Sequence, residues 1–122
     1  MQTGIELIAE ERKRQIEVEG WTAEHDKCQS DGELAMAAVC YASPYLPFYQ
    51  DVLQDGVLYS DCWPEWWDKE WDKRRRDAAN RIIPNIKIGA SARIRNLVKA
   101  GALIAAEIDR LKQPSAREAS HD

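Results

Sequence analysis

Carboxylates placed on the inner faces of a helical bundle can hold a hard cation, and Mg²⁺ held by oxygen ligands commonly brings a phosphate with it. Several acids of this chain are candidates. Glu33 stands at the start of an apolar stretch. Glu107 lies beside Ala105 and Ile108, with Asp109 on a different helical face, and Glu10 and Glu11 sit midway along an N-terminal helical pattern. A charged side chain is rarely buried unless it is paired or metal-bound, so a surface role competes for each. Cys28, Cys40 and Cys62 are too widely spaced for a zinc knuckle, and an odd count argues against a disulfide framework. They read as free thiols of a reducing cytosol, which makes the expected location cytoplasmic. The run Lys73-Arg74-Arg75-Arg76 reads as a solvated helix face or as a phosphate or nucleic-acid contact.

Four helical patterns are expected to position these groups. The first opens with Thr3-Gly4-Ile5-Glu6, the form of a capping box, and Gly20 terminates it. The second opens with Ser30-Asp31-Gly32-Glu33, again box-like, and runs from Leu34 to Ala42 before Pro44 and Pro47 end it. It is apolar nearly all round and reads as buried. Residues 43–62, rich in Pro, Tyr and Phe, read as a long aromatic loop with room for a short helical turn. A third helix is expected from Cys62-Trp63-Pro64 to Ile82, with Trp63, Trp67 and Trp71 four apart on one face. These tryptophans read as core packing or as an aromatic wall for a base or a partner chain. Pro84 breaks the chain, and residues 85–90 connect to the last helix. That helix is capped by Ser91 and carries a stripe through Ile94, Leu97, Val98, Gly101, Ile104, Ala105, Ile108 and Leu111 to Lys112. Its small residues Ala100, Gly101 and Ala102 suit a close crossing with the alanine-rich second helix. The expectation is a single all-α domain over residues 1–112, a four-helix bundle, followed by a polar tail over 113–122.

At 122 residues the chain makes one domain, and its 44% apolar content excludes a disordered one. No apolar run approaches the roughly 20 residues of a membrane span. Met1 to Glu11 carries three glutamates and no basic start, so it does not read as a signal peptide. The net charge of −4 is unevenly spread: residues 1–72 carry sixteen acids and five bases, residues 73–122 five acids and twelve bases. An acidic chain lacks the broad basic footprint that duplex nucleic acid demands. Such asymmetry suits helix pairing, subunit contact or an anion site in the C-terminal half. Five tryptophans exceed what a small core normally uses and point to an interface.

Glu11-Arg12-Lys13-Arg14-Gln15-Ile16-Glu17, the Gly20-Trp21 loop with Glu24-His25-Asp26, and Gly32-Glu33-Leu34-Ala35 resemble the MazG-like all-α nucleoside triphosphate pyrophosphohydrolases. The stretch Ile94 to Leu111 looks like that family's later helix. The whole chain also resembles small proteins common in tailed phages and prophages. What the MazG resemblance implies is a MazG-like bundle and a Mg²⁺-dependent attack on (d)NTPs. Glu33 and Asp31 would hold the metal, helped by Glu107 or Asp26. Arg95 and Lys99 would contact phosphates, and a tryptophan such as Trp67 would stack the base. It further implies a homo-oligomer, most simply a dimer. The family's EExxE box falls on Gln29-Ser30-Asp31-Gly32-Glu33, where only Glu33 matches, and its ExxD box on Asn96-Leu97-Val98-Lys99, where both acids are missing. The alternative implied by the phage resemblance is a non-catalytic accessory module that binds a nucleotide or a host protein.

Overall fold

The computed structural model describes residues 1–113, with the side chains of residues 49 and 51–53 outside that description. The polar tail expected over 113–122 lies, beyond Gln113, outside the described residues. About half of the chain is helical. Helix α1 is Gly4–Glu17, and its capping box forms: Thr3 Oγ1 accepts the Glu6 N–H at 3.3 Å, and Glu6 Oε1 accepts the Thr3 N–H at 3.1 Å. Gly20 then takes a left-handed φ of 76°, which turns the chain so that the Trp21 N–H reaches the Gln15 carbonyl at 2.9 Å. A short helix not anticipated from the sequence, α2 (Ala23–Lys27), is capped by Thr22.

Helix α3 is Glu33–Ala42. The expected Ser30 capping box does not form. Gly32 is the cap, at φ 82°, and the Glu33 carboxylate turns back to accept the Asp31 N–H at 2.7 Å. The last helix, α4 (Ala90–Lys112), starts at a Gly89 cap and not at Ser91.

Between α3 and α4 the fold departs from the expected all-α bundle. The loop foreseen over 43–62 contains an antiparallel hairpin, β1 (Phe48–Leu53) with β2 (Gly56–Asp61), in register Phe48↔Asp61 through Leu53↔Gly56. Its residues include aromatic and β-branched ones, and Gln54 and Asp55 make the turn before Gly56, which opens β2 at φ 155°. The expected third helix is absent. Residues 62–83 hold a turn closed from Trp67 to Pro64, one 3₁₀ turn, Lys69–Trp71, and a turn closed by a bridge between Arg76 and Ile82. The cause is local. Asp61, Asp68, Asp72 and Asp77 each accept the backbone N–H two residues on, from Trp63, Glu70, Arg74 and Ala79, at 2.9–3.1 Å. Four such Asx turns in succession offer the backbone a competitor to the helix ladder.

The core joins α3 to α4 and to the tryptophans. Leu34, Ala37, Ala38 and Tyr41 are buried with Ala100, Leu103 and Ala106. Trp21, Trp63, Trp67 and Trp71 pack edge to face at centroid distances of 5.5–5.7 Å. The four-apart spacing that suggested a helical stripe thus comes from a cluster gathered by turns. α1 lies on α4 at Gly101. Ile94, Leu97, Ile104, Ile108 and Leu111 of the expected stripe face outward, while Val98, Gly101 and Ala105 are partly covered, and α4 buries Ala100, Ala102, Leu103 and Ala106 instead. No helix among the described residues is long and apolar enough to cross a membrane.

A Cβ added at Gly101 would lie 2.5 Å from Ile8 Cδ1 and 2.8 Å from Ile8 Cγ1. Overpacking of this kind costs about 1–3 kcal/mol, more than the roughly 1 kcal/mol an alanine returns in helix propensity. Gly101→Ala is therefore expected to lower the urea midpoint. In an Ile8→Ala background the same change should raise it, because only the propensity gain remains.

Candidate functional site

The acids expected to share a metal do not converge. Glu33 is buried, and its second oxygen accepts the Trp66 indole N–H at 2.8 Å. Asp31 is adjacent and exposed. Glu107 sits near the far end of α4, bonded to Arg110 Nε at 2.6 Å. Asp26 is buried against Arg12 at 2.8 Å and His25 at 3.2 Å. Among the described residues no group of three or more His, Cys, Asp or Glu side chains is gathered to hold a metal. As a set, Glu33, Asp31 and Glu107 do not fit a Mg²⁺ ion.

The expected phosphate contacts are also dispersed. Arg95 is exposed and borders a small apolar hollow between α1 and α4. Lys99 reaches Glu11 Oε2 at 3.3 Å. Trp67 is 3% exposed and donates to Gln29 Oε1 at 2.7 Å, so most of its ring is packed in the core and little of it borders the surface. At the positions of the missing acids, Asn96 donates to Asn85 at 2.6 Å while Lys99 is held by Glu11.

What the chain does build is a charged centre beneath a groove. Arg74 is 6% exposed. Its guanidinium donates to Asp61 Oδ2 and Asp72 Oδ2, each at 2.8 Å, and lies 5.4 Å from the Trp63 ring centre. Burial alone would discourage the charge, but Asp72 and Asp61 outweigh it and hold the guanidinium well above the usual arginine range. The Cys40 thiol bonds weakly to the same Asp61 at 3.9 Å, and burial pushes it up to about 12, so it stays protonated and inert.

Above this centre opens a groove of about 660 Å³, between the base of the hairpin, the tryptophan segment and the 77–82 turn. Trp63 and Trp67 form its apolar wall, and Glu65, Lys69, Glu70 and Arg76 stand along its rim. The Trp63 indole N–H is buried and finds no acceptor among the described residues. Asn80 closes the turn with a left-handed φ of 62°, a conformation asparagine tolerates. Periodicity did not reveal this groove. The signal that could have done so is the repeat of aspartates at 61, 68, 72 and 77, each able to start a turn.

Removing Arg74 strands the buried Asp72 carboxylate and leaves the half-exposed Asp61 without its partner. Arg74→Leu is expected to cost about 3–5 kcal/mol in urea unfolding. A second test uses Glu11, which burial pushes upward but Arg14 and Lys99 pull down further, leaving its carboxyl below the ordinary 4.5. A lowered folded value means stability that is present above pH 4.5 and is lost as the pH falls through the folded value. Glu11→Gln should therefore be less stable than wild type at pH 7, and the difference should close in acid below 4.5.

No known protein family, curated protein or solved structure matches the chain.

Proposed function

We propose that this chain is a non-catalytic binding module that takes a cationic group, such as an arginine or lysine side chain of a partner protein, in the groove over Trp63. The supporting observation is the charge balance of that groove. Asp61 and Asp72 already answer Arg74, and Arg76 leans on Asp72 at 3.3 Å. The charges left over the tryptophan wall are Glu65 and Glu70 against Lys69. A residual negative rim beside an aromatic wall attracts a guanidinium or ammonium and repels a free triphosphate. An accessory role toward a host protein, the expectation from the resemblance to tailed-phage proteins, agrees with this site.

The second function considered is the Mg²⁺-dependent nucleotide pyrophosphohydrolase of a MazG-like bundle. Two features support it: Asp31 and Glu33 stand side by side at the start of α3, and α1 and α3 both pack on α4. Against it, Asn96 and Lys99 supply no carboxylate and are engaged in structural bonds.

Tryptophan fluorescence titrated with an arginine-rich peptide is expected to change to saturation. Reversing the rim with Glu65→Lys and Glu70→Lys should weaken that binding by about tenfold or more. In parallel, the chain incubated with Mg²⁺ and a panel of ribonucleoside and deoxynucleoside triphosphates should release no pyrophosphate. Pyrophosphate release that disappears in Glu33→Gln would overturn the binding module in favour of the hydrolase. Peptide binding indifferent to the rim reversal would remove the groove as the site.

A further inference from the structure

Helix α4 carries its bulky residues on the outside. Ile94, Leu97, Gly101, Ile104, Ile108 and Leu111 follow one another at alternating steps of three and four, the spacing of a coiled-coil seam. The five large ones are between 48% and 58% exposed. α1 borders one flank of this seam. It reaches α4 at Gly101 through Ile8 and at Lys99 through Glu11, an antiparallel register that carries the exposed Ile5 toward the level of Ile104. Val98 and Ala105, on that same flank, are partly covered. A contiguous apolar strip of this kind on a small domain marks a contact surface.

The charges beside the seam decide what covers it. Arg93 and Glu107 are two heptads apart, on the same side of the seam and symmetric about Ala100. Arg93 is exposed. Glu107, partly buried, is bonded to Arg110 within its own chain. A copy of the same helix laid antiparallel, with a two-fold axis passing by Ala100 and Gly101, sets each Arg93 against the other copy's Glu107. The symmetry repeats the pair at the far end. Opposed helix dipoles favour the same orientation. A parallel copy would instead lay Arg93 over the other copy's Val98. We propose that the chain forms a two-fold dimer through the outer stripe of α4, antiparallel, with Arg93 of each copy facing Glu107 of the other.

Sedimentation of the full chain at on the order of 100 µM tests it. The expected species has twice the 14.0 kDa chain mass. Ile104→Glu should raise the dissociation constant by more than about a hundredfold. Arg93→Glu and Glu107→Arg should each raise it about tenfold, and the two together should return it to within about threefold of wild type. These positions are exposed or at the rim, and a wild-type circular dichroism spectrum for each variant separates lost association from lost folding. A single 14.0 kDa species in the wild type overturns the dimer and leaves the face to a different protein. A dimer indifferent to Ile104→Glu, or one that the double charge swap fails to restore, overturns this interface.

Discussion

The contact of Arg74 with Asp61 and Asp72 fixes the non-helical third of the chain. Removing a guanidinium and its counter-charges from water is expensive, and the expense is met only when nearly every donor finds an acceptor. Here Nε and both terminal nitrogens are engaged, and the flat face lies over Trp63. The geometry leaves little slack. Asp61 ends the hairpin, Asp72 follows the 3₁₀ turn, and Arg74 precedes the bridge at Arg76. One cation therefore sets the position of three segments that lack a helix ladder of their own. A second tie links them to the helices: the Tyr41 hydroxyl donates to the Trp71 carbonyl at 3.3 Å and accepts the Lys73 N–H at 2.8 Å. A third is Asn85, whose amide donates to the Tyr41 and Ser43 carbonyls and whose oxygen accepts from Asn96.

The helices α1, α3 and α4 were legible because their signals are local. Thr3 and Glu6 act within one turn, Gly20 and Pro44 stop a chain wherever they fall, and a 3.6-residue period over α4 leaves little choice. Residues 62–82 were misread because tryptophans at steps of four satisfy a helical period and a turn-built cluster equally well. The deciding residues were the aspartates. Each competes for a backbone N–H only if the chain is free to turn, and that freedom depends on Arg74 and Tyr41, partners far away in sequence. The hairpin carried a local mark in Asp55-Gly56, but flanking prolines and aromatic residues masked it as irregular chain.

The last helix shows why periodicity finds a stripe without finding its direction. Burial depends on how closely two axes approach, and alanines facing alanines permit an approach that leucine and isoleucine prevent. α3 presents Ala37 and Ala38 beside Leu34, and α4 answers with Ala100 and Ala106 beside Leu103, so a face made mostly of small residues goes inside. The larger side chains are left on the outer surface, where they gain nothing from the monomer's core. Composition alone makes the opposite choice, because it ranks residues by apolar area and not by fit.

The same contrast explains how far the site could be foreseen. Glu33, Lys99 and Trp67 were singled out for residue types that metal, phosphate and base chemistry require, and each has those types for another purpose. Glu33 ties the start of α3 to Trp66, Lys99 ties α4 to α1, and Trp67 ties the tryptophan cluster to Gln29. A hydrolytic metal site needs acids that remain short of partners until the cation arrives. Here Asp26 and the side chain of Asp72, both withdrawn from water, have met arginines instead. Electrostatic investment has gone into holding turns in place. That suits a chain whose task is to present a shaped surface, with the groove on one side and the open face of α4 on the other.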